Sequence, residues 1–282
     1  MKHSSFIKND AKKVFKEKGT CSQTFAYLLN REFGYNKASE ERATDPMAGG
    51  LMLKGHQCGM LWGASLAVGA EAYRRSQNSD EAIRLAIIAT QKLLESFSKR
   101  TNTINCRDIT HSNLDSFFGL TKYMIKTMLQ GMNNSTCFNL AENWLPEAIQ
   151  SAKEGLSQEA TFSKTQKAIS CATEVAKKMG ATDEEQIIVA GFAGGLGLSG
   201  NACGALSTAI WLNSLKWVKE NPDKSAFKNK NAKAALKVFN TETNSEMLCQ
   251  NLCQQQFKSV EEHTQFIKNG GCSKLIETLA KS

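Results

Sequence analysis

Proline is scarce, 3 residues of 282, against a usual share of about 5%. So few helix breakers exclude a collagen-like or proline-rich chain, and the abundance of Ala, Lys, Glu, Gln and Leu leans toward helix. Histidines are few and dispersed: His3, His56, His111 and His263. No Walker loop, GxSxG elbow or HExxH helix is present, so nothing points to hydrolysis. Basic residues outnumber acidic ones 35 to 27, giving +8, yet they fall singly or in pairs such as Lys12-Lys13, Arg74-Arg75 and Lys177-Lys178. That excess suits solubility or an acidic partner, and without a basic arm or aromatic-basic signature no nucleic-acid partner is expected. The N-terminal MKHSSFIKNDAKKVFKEKG lacks the apolar run and cleavage pattern of a secretory signal, so a cytoplasmic location is expected. In a reducing compartment the nine cysteines read as thiols, metal ligands or redox groups rather than a disulfide framework.

Long uninterrupted apolar runs are missing too. Ile187 to Leu215 carries no charge, but Gly194, Gly195, Gly197, Ser199, Gly200 and Asn201 split it into two shorter pieces. This suits two buried helices joined by a turn, not a membrane span. Gly195-Leu-Gly197-Leu-Ser-Gly200 spells GxGxxG, but its counterpart Gly50-Leu-Met52-Leu-Lys-Gly55 lacks the middle glycine and no acidic residue follows at the dinucleotide-fold distance.

The chain is internally duplicated. AGGLMLKGHQCGMLWGAS at Ala48 to Ser65 aligns without gaps with AGGLGLSGNACGALSTAI at Ala193 to Ile210. Upstream, Cys21 and Cys171 each open an amphipathic helix that stops at a glycine, Gly34 or Gly180; downstream, Cys106 pairs with Cys249 and Cys137 with Cys272. Each half thus holds four cysteines in one order, Cys21, Cys58, Cys106, Cys137 and Cys171, Cys203, Cys249, Cys272, while Cys253 has no counterpart. Spacings of 37, 48 and 31 residues, then 32, 46 and 23, require tertiary structure to gather them. Retention of all four between otherwise dissimilar halves favours joint chemistry over core packing, the ordinary fate of a buried thiol.

A lone Cys, a glycine-rich segment leading into Cys-Gly, and two further Cys resemble the C_GCAxxG_C_C family of redox-active proteins, here as two tandem copies. Cys58-Gly59-Met60-Leu61-Trp62-Gly63 stands for the central motif with Met60 for Ala; Cys203-Gly204-Ala205-Leu206-Ser207-Thr208 keeps the Ala but has Thr208 for the last Gly, which puts close packing there in doubt. The resemblance implies a small intracellular helical domain and, through a similarity to split-Soret cytochromes, an iron-sulfur centre. Haem is not implied, since Cys249-Gln-Asn-Leu-Cys253-Gln has one residue too many and no following His.

Cys58 and Cys203 precede helices whose free N–H groups favour thiolate, and are the expected thiolates. Small residues Gly59, Gly63, Ala67 and Ala70 form a stripe that reads as tight helix packing. Four thiolates per copy suit an iron-sulfur cluster or zinc, and the alternative is dithiol pairs that open and close with redox state. His56, opposite Asn201, suits a hydrogen-bonding or capping role better than a shared base. Helices are expected over 5–17, 20–33, 58–76, 79–98, 113–131, 137–154, 158–179, 182–193, 202–220, 230–240, 245–257 and 259–280, with start signals at Ser79, Thr182 and Ser259. The expected architecture is all-α: a first repeat over 1–155 and a second over 156–282, packed as a pseudo-symmetric intramolecular dimer, open to further self-association. Function is expected to be redox with an unnamed electron partner or small substrate, or, for zinc or buried thiols alone, a helical interaction scaffold.

Overall fold

The computed structural model describes residues 9–158 and 167–282. Among them the first half forms α1 Ala11–Lys18, α2 Cys21–Glu32, α3 Ala38–Arg42, α4 Gly59–Arg75, α5 Ser79–Thr101, α6 Cys106–Thr110, α7 Phe117–Leu129 and α8 Thr136–Leu156. The second half forms α9 Cys171–Lys178, α10 Asp183–Ile188, α11 Gly204–Glu220, α12 Lys230–Thr243, α13 Cys249–Cys253, α14 Val260–Lys268 and α15 Ser273–Ala280. No strand occurs among the described residues, so the fold is all-α in two tandem halves. Parts of the helices expected at 5–17 and 158–179 fall on residues 1–8 and 159–166, outside the described residues.

The centre is α4, buried at every position from Gly59 to Ala72, as an all-round apolar helix must be. It lies between α2 and α5 and also meets α10 of the other half. Its small residues are packing residues: a Cβ on Gly63 would stand 2.0 Å from the Ser22 carbonyl oxygen of α2, and one on Gly69 2.3 Å from the Ile188 carbonyl oxygen of α10. At the equivalent of Gly63, Thr208 is wholly buried and donates to the Gly204 carbonyl oxygen. Close approach there is instead made by Gly204, where a Cβ would lie 1.8 Å from the Phe192 carbonyl oxygen.

Several contacts join the halves. Trp62 meets Phe192 edge-on at 4.8 Å, Trp211 donates to the Glu40 carbonyl oxygen at 3.2 Å, and Lys37 pairs with Glu184 at 2.7 Å. Gln57, fully buried, donates from Nε2 to the Gly195 carbonyl oxygen at 2.9 Å and accepts the Ala202 N–H on Oε1 at 3.2 Å.

Helix starts follow the capping signals at Thr182 and Ser259, whereas α5 is capped by Asn78, one residue ahead of Ser79. The span 259–280 is two helices, because Gly270 at φ 87° and Cys272 at φ 58° turn the chain left-handed between them. No helix among the described residues is long and apolar enough to cross a membrane. Helix α7 has no buried residue and leaves Phe117, Phe118, Met128 and Leu129 at least three-quarters exposed.

His263 on α14 is buried edge-on to Phe257, its Nδ1 unpaired, and burial lowers its pKa to about 4. The unfolded chain therefore takes up the proton first, at its ordinary value of about 6.5. Its contribution to stability is complete above that pH and is lost as pH falls toward 4. Between pH 7 and 5 the loss should be about 2 kcal/mol. Urea unfolding at the two pH values should show it, and His263→Leu should flatten the difference; an unchanged difference in that variant would refute the assignment.

Candidate functional site

Each glycine-rich segment folds into a left-handed turn. Gly49, Gly50, Leu51, Met52 and Leu53 run at φ 51° to 77°, and Gly194, Gly195, Leu196, Gly197 and Leu198 at 56° to 82°. Left-handed backbone costs about 1–2 kcal/mol for each residue bearing a Cβ. Leu51 and Leu196, both wholly buried, anchor the turns, and burial of such a side chain returns about 1.5–3 kcal/mol. Each turn closes identically, Gly55 N–H on the Gly49 carbonyl oxygen and Gly200 N–H on that of Gly194, both at 3.0 Å. Its first amide then points at a sulfur: Gly49 N–H reaches Cys21, and Gly194 N–H reaches Cys171.

A second device ties two cysteine segments together. Cys58 N–H donates to the Ile104 carbonyl oxygen at 2.7 Å and Cys106 N–H to that of His56 at 2.6 Å; Cys203 N–H donates to Met247 at 2.9 Å and Cys249 N–H to Asn201 at 2.7 Å. The two halves therefore repeat each other bond for bond at this point. Cys21 and Cys171 are the first residues of α2 and α9, Cys58 and Cys203 cap α4 and α11, and Cys106 and Cys249 open α6 and α13. Cys137 is the second residue of α8, and Cys272 caps α15. All eight lie at helix N-termini, where backbone N–H groups lack intrahelical partners. Cys253 alone ends a helix.

In the first half the thiols act on one another. Cys58 donates to Cys21, which with the N–H groups of Gly49 and Ser22 lowers the Cys21 pKa despite burial, while the same bond and burial raise Cys58 well above the ordinary value. Ionisation is therefore favoured at Cys21 over Cys58, the reverse of the order expected from the helix starts. Burial and its neighbours raise Cys106, and burial with Cys21 lifts Cys137 to about 11. Cys137 also accepts the Tyr123 hydroxyl of α7 at 3.1 Å. Tyr123 carries no motif signal and has no cysteine-like regularity to betray it.

In the second half Cys171 is raised by burial and by Cys203, Cys272 and Cys253, and burial pushes Cys203 up to about 12, so no thiolate is favoured at Cys203 either. Cys253 joins the group, 3.8 Å from Cys249 and 3.6 Å from Cys272, sulfur to sulfur. The residue at its helical position in the first half is Thr110, also four residues after the cysteine that opens the helix, and it bonds back to the Cys106 carbonyl oxygen. Cys253 therefore replaces a hydroxyl by a thiol.

His56 does not join the sulfurs. It lines a cleft of about 500 Å³ between the halves with Lys54, Arg107 and Glu246, and burial and Arg107 lower its pKa. Its carbonyl oxygen, not its imidazole, serves the site, by receiving the Cys106 N–H. Among the described residues no three His, Cys, Asp or Glu side chains stand as they are in an arrangement for one metal ion.

Fold and site together define an all-α protein of two cysteine-bearing repeats. The chain belongs to the family described as "Putative redox-active protein (C_GCAxxG_C_C)", which matches residues 20–151 and again 158–282. No curated protein and no solved structure matches it.

Proposed function

We propose that this redox-family protein holds an iron-sulfur cluster in each repeat, on Cys21, Cys58, Cys106 and Cys137 in the first and on Cys171, Cys203, Cys249 and Cys272 in the second, and serves an electron partner or a reductive step on a small substrate. The observation that carries this reading is the arrival of eight cysteines at eight helix N-termini, in two sets whose members perturb one another's ionisation.

The donor chemistry fits. Seven of these thiols are held in the protonated form by burial or by their neighbours, and a cationic iron centre would take the place of those protons. One tetrahedral ion with bonds of about 2.3 Å would require four sulfurs about 3.8 Å apart. A cluster of several irons, held by four cysteine thiolates, spreads its ligands over more than one metal ion. When bound, such a cluster supplies a one-electron couple whose potential responds to hydrogen bonds on its sulfurs. The amides of Gly49 and Gly194 on Cys21 and Cys171, and the Tyr123 hydroxyl on Cys137, are bonds of that kind. Cys137 accepts a tyrosine hydroxyl whereas Cys272 has the Cys253 thiol beside it, so the two centres would differ in potential.

Anaerobic purification with visible absorption and iron, zinc and sulfide analysis tests the reading. Charge-transfer bands with iron and sulfide are expected; zinc alone, or a colourless metal-free protein, would overturn it. Cys58→Ser should lower iron and sulfide by about half and spare the second repeat, whereas loss of everything would refute independent centres.

A further inference from the structure

Cys253 lies outside the family pattern and outside the proposed ligand sets, yet it is not an isolated thiol. Its sulfur bridges those of Cys249 and Cys272, and with Cys272 it lines an open cleft of about 500 Å³ that also presents Phe266 and Leu275. That volume suits a small organic molecule. Both Cys253 and Cys272 are half-buried, whereas Cys249 is buried and does not line the cleft. Cys272 sits on the turn after Gly270 and Gly271, backbone able to adjust as sulfurs 3.6 Å apart close to a bond of about 2.05 Å.

We propose that Cys253 and Cys272 form a solvent-facing dithiol that reduces small-molecule disulfides. Sulfur neighbours and burial raise the pKa of both thiols, so attack waits on loss of a proton: the thiol that loses it attacks a sulfur of the bound disulfide, forming a mixed disulfide and releasing the first product thiol. The other attacks the cysteine sulfur of that mixed bond, forming Cys253–Cys272 and releasing the second. The protein gives up two electrons and two protons, and the substrate S–S bond becomes two S–H groups. This goes beyond the cluster reading, and the two exclude each other at Cys272: the dithiol acts where Cys272 is not held by a second-repeat cluster. Drawing Cys272 into the bond withdraws it from the second repeat's ligand set, and the first repeat, with Thr110 at the equivalent position, has no such exchange.

Oxidised glutathione, added without oxygen to the reduced full-length protein, is the probe. Two glutathione thiols released per chain are expected, with a peptide map showing a cross-link between Cys253 and Cys272. Cys253→Ser should cut that release to at most one thiol per chain, stopping at a mixed disulfide on Cys272 with no internal cross-link, while the first repeat's cysteines stay reduced in both proteins. A map of the unmutated protein without this cross-link, or equal release from the variant, would overturn the proposal. Iron and sulfide assayed on the same sample before oxidation read the cluster separately, so either reading can fail alone.

Discussion

Gln57→Ala should lower the unfolding free energy by about 3 kcal/mol. Its amide holds the second repeat's glycine-rich segment at two points, the Gly195 carbonyl oxygen within the left-handed turn and the Ala202 N–H after it. Gly195 would keep a partner, because Ser199 also donates to it at 2.5 Å. Ala202 N–H, wholly buried, would lose its partner at about 1–3 kcal/mol, and the space the side chain empties adds to that. Gln57→Glu should also fail, since a carboxylate cannot donate to Gly195. Urea unfolding of the two variants tests the clamp: a loss under about 1 kcal/mol in both would mean that the bonds across the halves are dispensable.

Gly63→Ala should cost at least about 3 kcal/mol, at or beyond the upper end of ordinary overpacking. The new methyl would lie 2.0 Å from the Ser22 carbonyl oxygen and 2.9 Å from the Ala26 nitrogen, and neither is the yielding end of a side chain. Helices α2 and α4 would have to separate. Cys21, beside Ser22, would then move off Cys58, so the bond that lowers its pKa should weaken. Thr208→Ala supplies the contrast, because its position already accepts a side chain, and it should lose much less. Similar losses in the two variants would contradict the close approach described for the first repeat.

Much of the site could be read before any coordinates. The helix starts at Cys21, Cys171, Cys58 and Cys203 follow from apolar periodicity set against flanking glycines and polar caps, which are local signals. The left-handed turns could not be read, since Leu51, Met52 and Leu53 have no local preference for that backbone and adopt it only through burial and closing hydrogen bonds. The order of the two acidities was hidden for a related reason. A helix N-terminus favours ionisation at Cys58, but the thiol hydrogen bond that gives the advantage to Cys21 depends on tertiary packing. Gln57 and Tyr123 have no counterpart in the other repeat, so the duplication that exposed the cysteines hid them. Cys253 stood out as unpaired, and counting four residues from Cys106 would have matched it to Thr110.

The clamp at Gln57 bears on how the duplication aged. A symmetric pair of identical subunits would carry this residue on both sides, but here the reciprocal position is Ala202, and only one half reaches across. Tethering two such halves supplies proximity equivalent to roughly millimolar concentration, enough to keep them together while each drifts. Once one side alone held the contact, neither half remained interchangeable with the other. The chain has become a heterodimer written as one polypeptide, with its two ends free to specialise separately.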